Sequence, residues 1–123
     1  MDINGLKTTN DTLGHEAGDE LICGAAECIK SVFDNAFRIG GDEFVAIDKM
    51  DKAQVEKALE QLKLNTEKRH GKYVDKVSLS AGYALASEYP ELGIEALEHE
   101  ADKEMYNAKA HYYEENGLDR RHH

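Results

Sequence analysis

The sequence predicts a mixed α/β (α+β) sandwich in one unit, and three observations predict it. Apolar residues recur at helical spacing in three separate stretches. Between the first two, AFRI and FVAI flank a Gly-Gly turn as the arms of a β-hairpin. A further stretch, KVSLSAGYAL, alternates as a half-buried strand does. With 123 residues the chain holds one core, not two.

The elements follow in order. MDIN reads as the last residues of a strand whose beginning is missing, because nothing apolar precedes Ile3. A sheet without most of one strand would expose backbone groups, so a fragment is expected. NGLKTTNDTLGHEAGDE reads as a loop. From Glu20, the residues Leu21, Ile22, Ala25, Ile29, Val32 and Phe33 mark the first helix. The hairpin comes next, and Asp51 then caps a second helix carrying Val55, Leu59 and Leu62. Val77, Leu79 and Ala81 share one face of the following strand. Pro90 lies in the loop before a last helix carrying Leu97, Ala101, Met105, Tyr106 and Lys109. The order is strand stub, helix, strand, strand, helix, strand, helix, with no repeat and no linker.

Composition narrows the function. Apolar residues are 41% and charged residues 33%, as in a globular domain. The net charge of −10 would repel a long nucleic acid, so no nucleic-acid partner is expected. A small polyphosphate remains open if metal ions accompany it. The six histidines show no zinc spacing, and terminal His122 and His123 receive no role. No apolar run is long enough to span a membrane, and MDINGLKTTN lacks the regions of a signal peptide. A cytoplasmic domain without direct membrane contact is therefore expected. Cys23 and Cys28 fall on different faces of one predicted helix, so separate buried thiols are expected rather than a disulfide.

FRIGGDEFVAI carries the first chemical signal. One reading is a hairpin whose tip glycines take positive φ and whose acids keep a sheet edge from pairing. The other is a turn where Gly40 and Gly41 let a ligand approach the backbone while Asp42 offers a carboxylate to Mg²⁺. Asp2 stands at another predicted strand end, and two such carboxylates can bracket a pair of divalent ions. The segment after Asp2 adds Lys7, Asn10, Gly14, His15, Gly18 and Asp19. Asn and Asp side chains can pair with a guanine edge, and backbone N–H groups entering a helix suit phosphate. Equally, Asn10 and Asp11 could form a turn, with Asp19 capping the helix.

DINGLK, ND, GH and GD, in register from Asp2 to Asp19, and then RIGGDEF from Arg38 to Phe44 resemble the GGDEF domain family of diguanylate cyclases. VSLSAGY (Val77 to Tyr83) and ADKEMYNAK (Ala101 to Lys109) are similar to the family's downstream strand and last helix. The resemblance implies a five-stranded, mostly antiparallel central sheet flanked by helices, akin to nucleotide cyclase and polymerase palm domains. It implies one GTP with two Mg²⁺ or Mn²⁺ ions per site, and a homodimer in which each 3′-OH attacks the other GTP's α-phosphate. The products would be cyclic di-GMP and two pyrophosphates. Asp2, the Ile3 carbonyl, Asp42 and Glu43 would hold metal, with Glu43 alternatively helping to deprotonate the 3′-OH. Asn10 and Asp19 would read guanine, Gly40 and Gly41 would admit phosphates, and Lys109, assisted by Lys7, would contact them. A covalent sensor domain is implied elsewhere in the full-length protein.

The sequence departs from the family pattern in three places. The family's opening helix and the first part of its first strand are absent, so residues 1–123 are expected to be a single GGDEF domain lacking both. The family's product-binding R-x-x-D has Ser31 at the arginine position and Asp34 at the acid, so no feedback at this site is expected. Tyr113 stands where a phosphate-binding arginine follows the family's last helix motif, leaving Arg120 or Arg121 to compensate. Two other readings remain open: a module of this fold that holds GTP or a protein partner without turnover, and a fragment that associates through an exposed strand edge.

Overall fold

The computed structural model describes residues 1–69, 71–74 and 77–115. Eight elements follow one another: β1 (Asp2–Ile3), α1 (Leu6–Leu13), α2 (His15–Lys30), β2 (Ala36–Arg38), β3 (Phe44–Ala46), α3 (Lys52–Lys68), β4 (Leu79–Ser80) and α4 (Ile94–Glu115). Helices and small antiparallel ladders are mixed along the chain. No helix among the described residues is long and apolar enough to cross a membrane.

The strands are short, but their pairing organises the molecule. β1 pairs antiparallel with β4, Asp2 opposite Ser80 and Ile3 opposite Leu79. β2 and β3 form the expected hairpin, with Phe37 opposite Val45. Among the described residues a single bridge, Asp2 to Glu43, joins the two ladders. The Ile3 N–H donates to Asp42 O and the Phe44 N–H to Met1 O, each at 2.8 Å. β1 is thereby held on both sides, between β4 and the turn of the hairpin. That position explains how a two-residue strand persists.

α2 supplies more of the core than any other element. Leu21, Ala25, Cys28 and Ile29 are buried, and they meet Ile3, Phe33, Phe44, Leu62 and Val77. Each large side chain of this kind adds about 1.5–3 kcal/mol on burial. α3 starts as expected: the Gln54 N–H donates to Asp51 Oδ1 at 2.8 Å, and the Asp51 N–H to Gln54 Oε1 at 2.9 Å.

Three expectations are corrected. The segment before Glu20, read as a loop, contains α1 and the first turn of α2. Its apolar residues are too sparse for a periodic signal, and α1 buries no residue fully. It is helical because it packs on α2, where a Cβ at buried Gly18 would overlap the Asn10 amide. Gly5 (φ 75°) and Gly14 (φ 91°) set its limits in backbone conformations that favour glycine. Asp19 consequently lies inside α2 and does not cap it. The second correction concerns the segment around β4, in which Val77 and Ser80 are buried while Leu79 and Ala81 are only half-buried. Ser80 tolerates burial because its hydroxyl donates to Asn4 Oδ1 at 2.8 Å. Third, both cysteines are free, but only Cys28 is buried and Cys23 is exposed.

A candidate nucleotide and metal site at the β1 end

β1 and the hairpin turn bring the predicted acids together. Asp2 is buried, and the bridge to Glu43 sets the hairpin turn beside it. α4 crosses this point and inserts Lys109, whose side chain is 2% exposed. The Lys109 ammonium donates to Asp2 Oδ2 at 3.1 Å, Asp42 Oδ2 at 3.0 Å and the Ile3 carbonyl at 3.4 Å. Three residues named from sequence thus meet around the nitrogen of a fourth.

The turn itself is informative. Neither Gly40 nor Gly41 has a positive φ. Among the described residues, nothing lies within 4 Å of where a Cβ on Gly41 would stand, and one on Gly40 would meet only the Glu43 Cβ at 3.6 Å. The hairpin therefore needs glycine at 41 neither for its backbone nor for its packing. The turn is braced from one side, where Arg38 Nε donates to Gly40 O at 3.0 Å and Nη2 to Gly41 O at 2.9 Å. The Ile39 N–H closes the hairpin on Glu43 O at 2.9 Å.

Charge is concentrated here. Burial, followed by the fields of Asp2 and Asp102, pushes the Glu43 carboxyl above the usual value; the Met1 ammonium opposes this and Asp42 adds to it. Among the described residues, the buried Asp2 Oδ1 has no hydrogen-bond partner. A buried carboxylate oxygen left so costs roughly 1–3 kcal/mol or more, and a cation beside it would remove that cost. The surrounding donors are all oxygen, which suits a hard ion such as Mg²⁺ or Mn²⁺ rather than zinc. No group of three or more His, Cys, Asp or Glu side chains is arranged to hold a metal among the described residues. The set that fits is instead two carboxylates and a carbonyl, with Glu43 beside them.

The other predicted residues lie on the first two helices. Asn10 is half-buried on α1 with its amide on Gly18, the neighbour of exposed Asp19 on α2. Lys7 is exposed on the first turn of α1, and no hydrogen bond or ion pair joins it to the acidic cluster among the described residues. Arg120 and Arg121, proposed to compensate for Tyr113, lie outside the described residues.

Three residues support the site through contacts that the sequence does not specify, although Tyr113 itself is singled out there. The buried Asn4 amide donates to Ser78 Oγ at 3.0 Å and accepts from Ser80, tying the end of β1 to β4. Tyr113 is buried, and its hydroxyl accepts from the Gly5 N–H at 3.0 Å. It thus fastens α4 to the entrance of α1. Arg38 is the third. Only its place, two residues before Gly40 at the strand end, hinted at a role.

Matching the chain to known families decides its membership. The family model described as "Diguanylate cyclase, GGDEF domain" matches residues 1–114. The chain belongs to the GGDEF family. The GGDEF chain is 37% identical over 113 residues to diguanylate cyclase DgcS of Shewanella oneidensis, covering 89% of this chain and 38% of that protein. It is 36% identical over 123 residues to signaling protein YkoW of Bacillus subtilis, covering 89% of this chain and 14% of that protein. With diguanylate cyclase DgcN of Escherichia coli it shares 32% identity over 117 residues, covering 89% and 28% of the two. The GGDEF chain thus spans well under half the length of these relatives.

A second feature of the GGDEF chain adjoins this cluster. A cavity of about 520 Å³ opens between β3, α3, α4 and the segment after β4, lined among others by Val45, Leu59, Leu97 and Met105. It is largely apolar, and Met1 and Asp102, whose charges act on Glu43, also line it.

Proposed function

We propose that this GGDEF domain condenses two GTP molecules into cyclic di-GMP, releasing two pyrophosphates, with two copies of the domain facing each other. The observation that carries the reading is the meeting of Asp2, the Ile3 carbonyl and Asp42 beside a turn where the fold itself does not require Gly41. Family membership supports it independently. A palm-like sandwich, with the described ladders as part of its sheet, is the architecture we assign.

In this reading Asp2, Ile3 O and Asp42, with Glu43, hold Mg²⁺ or Mn²⁺, two ions per GTP. Bound there, such ions neutralise triphosphate charge and favour ionisation of the 3′-OH. The chain's own residues bind and orient. Gly40 and Gly41 let phosphate oxygens approach the backbone, and Arg38 keeps the turn in place beneath them. Asn10 and Asp19 hold the guanine edge. Lys109 and Lys7 supply positive charge to the phosphates, and Glu43 serves as a ligand or as the base for the 3′-OH. Aligning the 3′-OH of one GTP on the α-phosphate of the other requires two sites, hence the homodimer. Positioning and charge neutralisation account for most of the rate in such transfers. We further place the domain in the cytoplasm, where GTP is supplied, as the output part of a longer signalling protein.

A second reading, a module that holds GTP without turnover, is favoured by one observation: Tyr113 fills its position with a packing role and brings no positive charge to the site. Incubation with GTP and Mg²⁺ at high protein concentration, with cyclic di-GMP followed by chromatography, separates the two. Product from the parent and none from Asp42→Ala is expected. GTP binding without product would select the second reading.

A further inference from the structure

We propose that Lys109 is the resident counter-ion of the Asp2–Asp42 pair, and that a divalent cation enters by displacing it. The domain would then take up metal together with a polyphosphate and only weakly without one. The inference rests on the reading of Asp2 and Asp42 as metal ligands.

The geometry points this way because the ammonium is fully used. Its three N–H groups have three oxygen acceptors, Asp2 Oδ2, Asp42 Oδ2 and Ile3 O. Those are the oxygens a hard cation would take, so the ammonium and the ion compete for one set of ligands. Like charges a few ångströms apart in a buried site also repel strongly. One oxygen escapes the competition: Asp2 Oδ1 is buried and has no partner among the described residues. It offers an incoming cation a first foothold while Lys109 still holds Oδ2.

The lysine stem can leave without the helix moving. α4 is anchored on either side of Lys109 by buried Met105 and Tyr113, while the four-carbon side chain is flexible. Once released, the ammonium needs an anion, and the phosphates of a nucleotide at the neighbouring turn provide one. Metal alone must displace the lysine without that help. A merely structural ion pair would behave differently: its removal would destabilise the domain, and metal would not selectively restore it.

The test is Mn²⁺ titration followed by electron paramagnetic resonance, without nucleotide, on the parent and on Lys109→Met. The variant is expected to bind Mn²⁺ at least about tenfold more tightly, as relief from one nearby positive charge implies. A non-hydrolysable GTP analogue should bring the parent's Mn²⁺ affinity up towards that of the variant. In melting experiments Lys109→Met should be less stable than the parent in EDTA and should regain more stability on adding Mn²⁺. Equal Mn²⁺ affinities, with binding abolished by Asp42→Asn, would overturn the proposal and leave the metal site standing. Mn²⁺ binding indifferent to Asp42→Asn, with and without the analogue, would sink the metal-ligand reading and this proposal with it. Should Lys109→Met not fold, the parent alone decides. Reductive methylation read by mass spectrometry should find Lys109 protected in EDTA and labelled under saturating Mn²⁺. Protection unchanged at saturation would refute the displacement.

Discussion

Replacing Gly41 with alanine separates what the fold requires from what a ligand requires. Nothing among the described residues lies within 4 Å of the added Cβ, and φ at Gly41 is not positive, so the methyl group meets neither clash there nor backbone strain. Alanine also restricts the unfolded chain, which at a compatible position stabilises by about 0.4–1 kcal/mol. For a domain of this size that corresponds to a rise in melting temperature of roughly 1–6 °C. The ligand would meet the opposite sign. If phosphate oxygens pack on the turn, the methyl group overfills the contact at about 1–3 kcal/mol, weakening GTP binding by about 5- to 150-fold. Thermal melting and GTP titration in Mg²⁺ read the two effects on one variant. A fall in melting temperature would show that the fold needs this glycine after all. Unchanged or raised stability with unchanged GTP affinity would refute close approach as the reason for it.

Gly82→Ala should act in reverse, since its Cβ would overlap the backbone of α4 at Ala101 O and Met105 N. The helix would have to retreat by about 1 Å, destabilising by about 1–3 kcal/mol, and a melt should show it. Tyr113→Phe removes the acceptor of the Gly5 N–H, so a loss of about 1–2 kcal/mol is expected in denaturant unfolding. Thiol reagents should modify exposed Cys23 in the native domain and spare Cys28, whose thiol burial pushes up, so that Cys28 stays protonated as pH rises towards the ordinary thiol range. Mass spectrometry of the labelled protein across pH 7–9 checks this. Ser31 is already engaged: its hydroxyl donates to Cys28 O at 2.6 Å and accepts from Asn65 at 3.0 Å. Product inhibition abolished by Asp34→Ala would contradict the expected absence of feedback there.

Much of the site was legible because its chemistry is written in residue types. Two glycines, two acids, Asp2 and the Asn10 to Asp19 pattern each name a donor or a space, and chain order keeps them recognisable. The core of α2 and the capping box of α3 were legible because periodicity and capping are local rules. α1 was not. Its helicity depends on a close approach at Gly18, between residues eight positions apart, that no apolar repeat announces. Nor could alternation foresee buried Ser80, which is satisfied by Asn4, 76 positions away.

By itself, then, the sequence identified the family and named the acids, the carbonyl and the lysine of the candidate site. Only the tertiary structure decided where the charges stand. Lys109 is 107 residues from Asp2 and 67 from Asp42, yet one ammonium contacts both carboxylates. A residue type states what a side chain can donate or accept. Which partner it finds depends on β1 being held between β4 and the hairpin turn, and on α4 crossing at that point.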